Sequence, residues 1–195
     1  MKNKIRLAVF ASGRGSNFEA LLRYFAKNPV IEVAVLVCNN PRAGAIQLAA
    51  EYGIPVRMMQ KGECMEAGTL SGDLATEQID FLILAGFLWK IPALLVEKFR
   101  GRIINLHPAL LPKYGGKGMY GHHVHEAVLA NKEKTSGITI HQVDEEYDHG
   151  STIFQASCNI DPHETVSSLA AKIHELEHQH FTRVVEAYIK KQITS

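Results

Sequence analysis

The sequence predicts an α/β fold: an open, mostly parallel sheet with helices on both faces. Three observations carry that expectation. Short apolar runs bounded by turn residues alternate with helical patterns through the first half of the chain, the pattern of a parallel sheet. A glycine-rich turn, Ser12-Gly13-Arg14-Gly15-Ser16-Asn17, stands between the first such run and the first helix. The apolar run Ile103-Ile104 then breaks into Asn105-Leu106-His107-Pro108. Asn105 and His107 share a face of an extended chain. Pro108 holds His107 extended and cannot donate a ladder bond. An amide and an imidazole are thus presented where a strand leaves its sheet, which is where open α/β sheets bind ligands.

The elements follow in order. Ile5 to Ala11 reads as a buried first strand and Phe18 to Lys27 as a helix ended by Pro29. Ile31 to Cys38 is a second strand. Ala43 to Tyr52 is helical by periodicity, closed by Gly53. Pro55 to Met59 is a short third strand, Gly62 to Gln78 a helix, and Phe81 to Ala85 a fourth strand. Pro92 opens a helix that runs to Phe99. After the Asn105–His107 stretch come a glycine-rich loop from Lys113 to Gly121 and a helix from His123 to Ala130. Ser136 to Val143 and Ser151 to Ile160 read as strands forming an antiparallel or mixed extension. Thr165 to Lys191 is one long helix, its start marked by Asp161, Pro162 and Glu164.

Composition sets bounds on this. The chain has 195 residues, 46% hydrophobic and 21% charged, which suits one globular domain, residues 1–195. A net charge of +1 gives no strong field toward nucleic acid or membrane. No apolar run approaches the roughly 20 residues that span a bilayer, and the start of the chain has no secretion-signal pattern. Cys38, Cys64 and Cys158 are few and widely spaced, which fits reduced thiols in the cytoplasm.

The turn at Gly13 to Asn17 suits an anion. Glycines let the backbone approach closely, and a helix N-terminus offers free N–H groups and a positive dipole end. The dinucleotide fingerprint would need a third glycine where Phe18 stands and an acid near Cys38-Asn39-Asn40. No Gly-Lys-Ser/Thr follows either. A single phosphate on a sugar phosphate or mononucleotide fits best. A tight turn with no ligand is the plain alternative.

Further on, Gly137 to His141 leads into an acidic turn, Asp144-Glu145-Glu146-Tyr147-Asp148-His149-Gly150. A carboxylate near an imidazole sets its tautomer and stabilises its charged form. Asp148 alone would otherwise be a turn-capping residue. His122, His123 and His125 cluster without the spacing of a helical zinc site or a clear carboxylate or cysteine close in sequence, so no metal is expected. His174, His178 and His180 read as a solvated or interface face of the last helix. Phe87 and Trp89 read equally as core and as a ligand platform.

These landmarks together resemble the folate-dependent formyltransferases, over nearly the whole chain. The Asn105-Leu106-His107-Pro108 stretch with Asp148 is shared across that family. The Gly15-Ser16-Asn17 turn resembles its glycinamide ribonucleotide branch. Supporting stretches are Leu84-Ala85-Gly86-Phe87, Leu110 to Tyr114, and Gly137 through His141 with Gly150. The resemblance implies a Rossmann-like fold whose phosphate-binding half covers roughly residues 1–100 and whose folate and catalytic half covers roughly residues 101–195. It implies transfer of a formyl group from 10-formyltetrahydrofolate to the amine of glycinamide ribonucleotide, a step of purine synthesis. Gly15, Ser16 and Asn17 would hold the substrate phosphate and Glu177 the ribose. Leu88, Trp89, Lys90, Ile91, Val143 and Asp144 would border the folate. Asn105, His107 and Asp148 would be the catalytic trio. Small molecules are the implied partners, and the chain would be a monomer or homodimer. The family often has Arg where this chain has Trp89, and a shorter segment with Pro where it has Gly115.

In that chemistry the amine attacks the formyl carbon. Asn105 donates to the resulting oxyanion, a protonated His107 supports its charge, and Asp148 relays a proton. No Cys or Ser is paired with a base, so direct transfer is expected. Two alternatives stand beside it. A formyltetrahydrofolate hydrolase would use water instead of the amine, but has no use for the phosphate turn and carries an extra N-terminal domain. A non-catalytic sugar-phosphate or folate-binding module would not need the trio.

Overall fold

Strand β1 (Ile5–Phe10) buries its last four residues completely, Leu7, Ala8, Val9 and Phe10. That continuous apolar run is what a strand flanked on both sides requires. In the computed structural model, residues 4–60 and 68–194 are described. Cys64 and the expected start of the third helix at Gly62 lie outside them.

The chain divides into two compact units, Met1–Ile104 and Asn105–Ser195. In the first, α1 (Ser16–Phe25) buries Phe18, Leu21, Leu22 and Phe25 on one stripe, at the spacing a one-sided helix needs. Then come β2 (Ile31–Cys38) and α2 (Gly44–Glu51). Gly53 beyond α2 takes the left-handed φ of 67° that ends such a helix. β3 (Val56–Met58), α3 (Gly68–Thr76), β4 (Phe81–Leu84) and α4 (Ala93–Lys98) complete the unit. Its strands lie in the order β3-β2-β1-β4. All are parallel, with Ile5 opposite Ile31, Leu7 opposite Phe81 and Leu36 opposite Val56.

The second unit begins inside β5 (Ile103–His107) and holds α5 (His122–Ala130), β6 (Thr135–Gln142), β7 (Thr152–Asn159) and α6 (Val166–Thr194). Strands β6 and β7 are antiparallel. The ladder skips one residue, because Ile140 faces Phe154 while His141 faces Thr152. Ile153 is the extra residue of a bulge, a device that re-aims side chains beside it. At the start of α6, Thr165 Oγ1 accepts from the Ser168 N–H at 3.1 Å, a side-chain cap of the kind that fixes a helix start. The helix packs on β6, β7 and α5. Its buried stripe reads Leu169, Ile173, Glu177, Phe181, Val185 and Ile189. The α/β class and mostly parallel strand pairing match the sequence-based expectation, and the late pair is the antiparallel extension.

Candidate functional site

The second unit gathers Asn105, His107, His141 and Asp148. β5 carries Asn105 and His107 two residues apart on one face. His141 sits on β6 at the bulge. Asp148 comes from the turn between β6 and β7, with φ at +58°, a left-handed conformation that Asp tolerates better than most residues. The Asn105 amide nitrogen donates to His141 Nε2 at 3.0 Å and to Asp148 Oδ1 at 3.3 Å. His107 Nδ1 lies 3.6 Å from the same oxygen, and His141 Nε2 lies 3.5 Å from it. Asp148 Oδ2 accepts from the Gly116 N–H at 2.9 Å. Asp148 therefore both closes a loop contact and joins the cluster.

The tautomers follow from their backbone partners. A peptide carbonyl only accepts, so each bonded ring nitrogen must carry the proton. His141 Nδ1 donates to the Gln142 carbonyl at 2.7 Å, which leaves Nε2 free to accept from Asn105. His107 Nε2 donates to the Tyr114 carbonyl at 2.8 Å, which leaves Nδ1 toward Asp148. His141 is the member that sequence reasoning missed. The available signal was a histidine between Ile140 and Gln142 at the end of a strand that runs into an acid-rich loop.

Burial pushes the His107 imidazole below its ordinary value. The Asp148 charge and the Tyr114 carbonyl oppose that shift, and His141 adds to it. The protonated His107 expected from the sequence is thus disfavoured in the free protein, because desolvation outweighs its carboxylate neighbour. Burial alone would raise the Asp148 carboxyl. The neighbouring His141 and His107 rings and the Gly116 amide outweigh it and hold the carboxyl below its usual range.

His125, also buried on α5, is shifted down in the same way, by burial first, with Glu177 opposing. These two shifts have a stability consequence. Both folded-state values lie below the ordinary 6.5 of the imidazole, so between the folded and unfolded values the unfolded chain binds more protons. Their contribution is fully present above 6.5 and is lost as pH falls through the folded values. Melting curves from about pH 7.5 down to about pH 5.5 are expected to show Tm falling, and His125→Gln is expected to flatten part of the slope. A Tm that holds or rises on acidification would contradict it.

In the first unit, Gly15 precedes α1 with φ 87° and no side chain caps the helix. The N–H groups of its first turn are therefore the kind that an anion satisfies. Ser16 opens the helix, half-buried, and Asn17 is buried beside it. A Cβ on Gly15 would stand 2.9 Å from the Ala45 Cα and Cβ. The glycine is required by its backbone conformation and by α2 packing. Ser12 ties the turn to the stretch after β4: its N–H donates to the Gly86 carbonyl and its Oγ accepts from the Leu88 N–H at 3.0 Å.

The sequence pattern of the formyl transferase family matches residues 5–185. The chain belongs to this family. It is 41% identical over 193 residues to a protein named chloroplastic phosphoribosylglycinamide formyltransferase of Vigna unguiculata, covering 96% of this chain and 62% of that one. It thus spans less than two thirds of the plant relative. It is 35% identical to the phosphoribosylglycinamide formyltransferase of Bacillus subtilis, covering 93% of each. The solved phosphoribosylglycinamide formyltransferase of Bacillus halodurans superposes with a TM-score of 0.86 at 32% identity, covering 96% of each chain.

In this formyl transferase, Glu177 is buried within the apolar stripe of α6, four residues from both Ile173 and Phe181. Its Oε2 lies 3.2 Å from His174 Nδ1. A carboxylate is seldom buried at such a core position unless it is paired. Leu88 and Lys90 are exposed and Trp89 is half-buried, whereas Ile91 belongs to the core at 5% exposure. Phe87 packs edge-on against Phe10 at 5.3 Å. Val143 is half-buried and Asp144 is exposed, its Oδ1 accepting from the Glu146 N–H. Of the clustered histidines, His125 is buried. His122 and His123 are exposed, with ligand atoms within 4.8 Å of one another and of Glu126. That carboxylate, one helical turn on from His123, was not counted as a partner in the sequence reading. His174 and His178 are exposed, and His180 packs on Phe154 at 4.9 Å. Among the described residues, no helix is long and apolar enough to cross a membrane.

Proposed function

We propose that this chain transfers the formyl group of 10-formyltetrahydrofolate to the amine of glycinamide ribonucleotide, a step of purine synthesis. The observation that carries the reading is the convergence of Asn105 and His107 on one carboxylate oxygen of Asp148 in a formyl transferase. The amine attacks the formyl carbon, and negative charge develops on the formyl oxygen. Both Asn105 N–H groups face acceptors in the free protein, so a donor to that oxygen comes from releasing the longer bond to Asp148. Asp148, held ionised, takes the proton lost by the attacking nitrogen and passes it to the folate nitrogen, as the formyl C=O re-forms and the bond from the formyl carbon to that nitrogen breaks. Once protonated it accepts more weakly, which frees the Asn105 donor in the same step. One such donor contributes about 10²–10³-fold. Once Asp148 holds that proton, the bare His107 Nδ1 beside it is the acceptor that shares it.

Gly15, Ser16 and Asn17 hold the ribonucleotide phosphate in this reading, and Glu177 accepts from ribose hydroxyls. Leu88, Trp89, Lys90, Val143 and Asp144 border the folate by side chain, and Ile91 by backbone only. A cytoplasmic location and a monomer or homodimer belong to the same proposal. The free thiols of Cys38 and Cys158 support a reducing compartment.

Release of deformylated folate, with and without glycinamide ribonucleotide, tests the reading. Release only with the ribonucleotide is expected. Equal release without it, accompanied by formate, indicates a hydrolase, and no release indicates a binding module. Ser16→Ala is expected to raise the KM for the ribonucleotide several-fold, the effect of one lost hydrogen bond to a charged group, while the KM for the folate stays put. It is a cleaner probe than Gly15→Val, whose side chain would collide with α2. Equal weakening of both substrates would make the turn structural. A folate analogue is also expected to change the fluorescence of Trp89, the single tryptophan. Silence, with binding confirmed by calorimetry, would remove Trp89 from the pocket.

A further inference from the structure

Tyr114 stands in an unusual place. Its φ is +58°, a left-handed backbone that a bulky L residue adopts only when its surroundings impose it. Its carbonyl is the acceptor that takes the His107 Nε2 proton. Its side chain reaches away, and the phenol donates to Glu133 Oε1 at 2.9 Å. Lys113, one residue earlier, donates its ammonium to the same oxygen at 2.8 Å. Glu133 follows the end of α5, where Lys132 also has a left-handed φ of 53° and the Glu133 N–H donates to the Val128 carbonyl. The carboxylate is thus fixed by a helix end and grips two consecutive residues of the loop. The Lys113 and Tyr114 bonds also hold the Glu133 carboxyl below its ordinary range, so it is charged at neutral pH.

We propose that Glu133 is a positioning residue for His107: it tethers Lys113 and Tyr114 so that the Tyr114 carbonyl fixes the His107 tautomer, with Nδ1 turned to Asp148. This rests on the reading above that His107 and Asp148 work at the reacting centre. Two further contacts support it. Two residues after Tyr114, the Gly116 N–H donates to Asp148 Oδ2. A Cβ on the intervening Gly115 would stand 3.1 Å from the Asp148 Cβ and 2.6 Å from Leu111 Cδ2. The segment from Tyr114 to Gly116 therefore touches both members of the acid–base pair. Glu133 touches neither, and reaches them only through this backbone.

The test uses Glu133→Ala, Glu133→Gln and Tyr114→Phe in the full chain, with nitrogen-15 NMR of the His107 ring beside steady-state kinetics. The wild type is expected to show a single neutral tautomer protonated at Nε2. Glu133→Ala is expected to mix the tautomers and to lower kcat about tenfold to a hundredfold, as for a catalytic group displaced by a fraction of an ångström. Each KM is expected to stay within about twofold, because no substrate contact is removed. Glu133→Gln keeps an acceptor oxygen and is expected to restore most of kcat. Tyr114→Phe removes one hydroxyl and is expected to fall between. An unchanged His107 tautomer in Glu133→Ala overturns the proposal, whatever happens to Tm. So does a loss of kcat that Gln does not relieve. The ring spectrum needs no turnover, so a wild type that fails to transfer formyl groups would sink the assigned reaction and leave the tether to be judged on the tautomer alone.

Discussion

Asp148→Asn is expected to lower kcat by about 10²–10⁴-fold, the range for losing a group that moves a proton. The substitution keeps the size of the side chain, and Asn accepts a left-handed backbone as readily as Asp, so the turn at φ +58° is not strained by it. Charge and basicity disappear. The hydrogen bonds separate the two oxygens further. One accepts from Asn105, the other from the Gly116 N–H. An amide can serve one of these donors and presents its own N–H₂ to the other. Leaving a partly buried donor unmet costs about 1–3 kcal/mol, so a drop in Tm of several degrees is expected alongside the kinetic loss. Asp148 thus carries a capping role and a chemical one together. Measuring kcat, ligand affinity and Tm on one preparation separates them. A variant with wild-type kcat would show that the carboxylate moves no proton. One that loses kcat only in step with its fold would leave capping as the whole role.

Gly150→Ala is expected to be the most damaging small substitution near this turn. A Cβ there would stand 1.8 Å from the Gln142 carbonyl oxygen and 2.7 Å from its carbon. Both are backbone atoms, so no rotamer change relieves the clash. The end of β6 must separate from the start of β7, and the bond from the Gln142 N–H to the Ser151 carbonyl is the first to go. Forced overpacking usually costs about 1–3 kcal/mol, occasionally more, and this position belongs at the upper end. Asp148 lies two residues upstream, so activity should fall at temperatures where the protein remains folded. Gly72→Ala is the matched control: it sits inside α3 with nothing within 4 Å of its would-be Cβ. Alanine there should be neutral or mildly stabilising. Urea melts of the pair give the comparison. If Gly150→Ala melted like the control, the strand end would be more compliant than its contacts indicate.

Much of this was readable from the residues because it rests on local rules. Ile31–Cys38 was bounded correctly because an apolar run broken only by Glu32 and ending in Asn-Asn has one reading. The first helix begins at Ser16, two residues before the expected Phe18. The start depends on the left-handed φ of Gly15, and a glycine does not announce which of its conformations it uses. The polar cluster was legible in part. Asn105 and His107 are two apart on a strand, and alternation brings them together. Asp148 had to be joined to them across some 40 residues (Asn105 to Asp148), and only the family pattern did that. His141 was missed because an isolated histidine in a strand carries no mark of which neighbour it meets. Burial of His107 could not be read from sequence, so the desolvation that opposes its protonation in the free protein had no counterpart there. Ile91 was placed beside the ligand from the stretch it belongs to, while its own apolar side chain turned to the core.

The extra residue in the β6–β7 ladder also bears on how the chain avoids pairing with copies of itself. Strand β7 is last in the order β5-β6-β7. Its sequence Thr-Ile-Phe-Gln-Ala-Ser-Cys-Asn has no charge and no proline, the two commonest guards of an outer strand. A straight eight-residue edge of that composition is a template for a foreign strand. With Ile153 bulged out between Thr152 and Phe154, the strand bends near one end, and an incoming straight strand finds an unbroken register only from Phe154 to Asn159. The same irregularity that sits beside His141 therefore shortens the surface on which aggregation would begin.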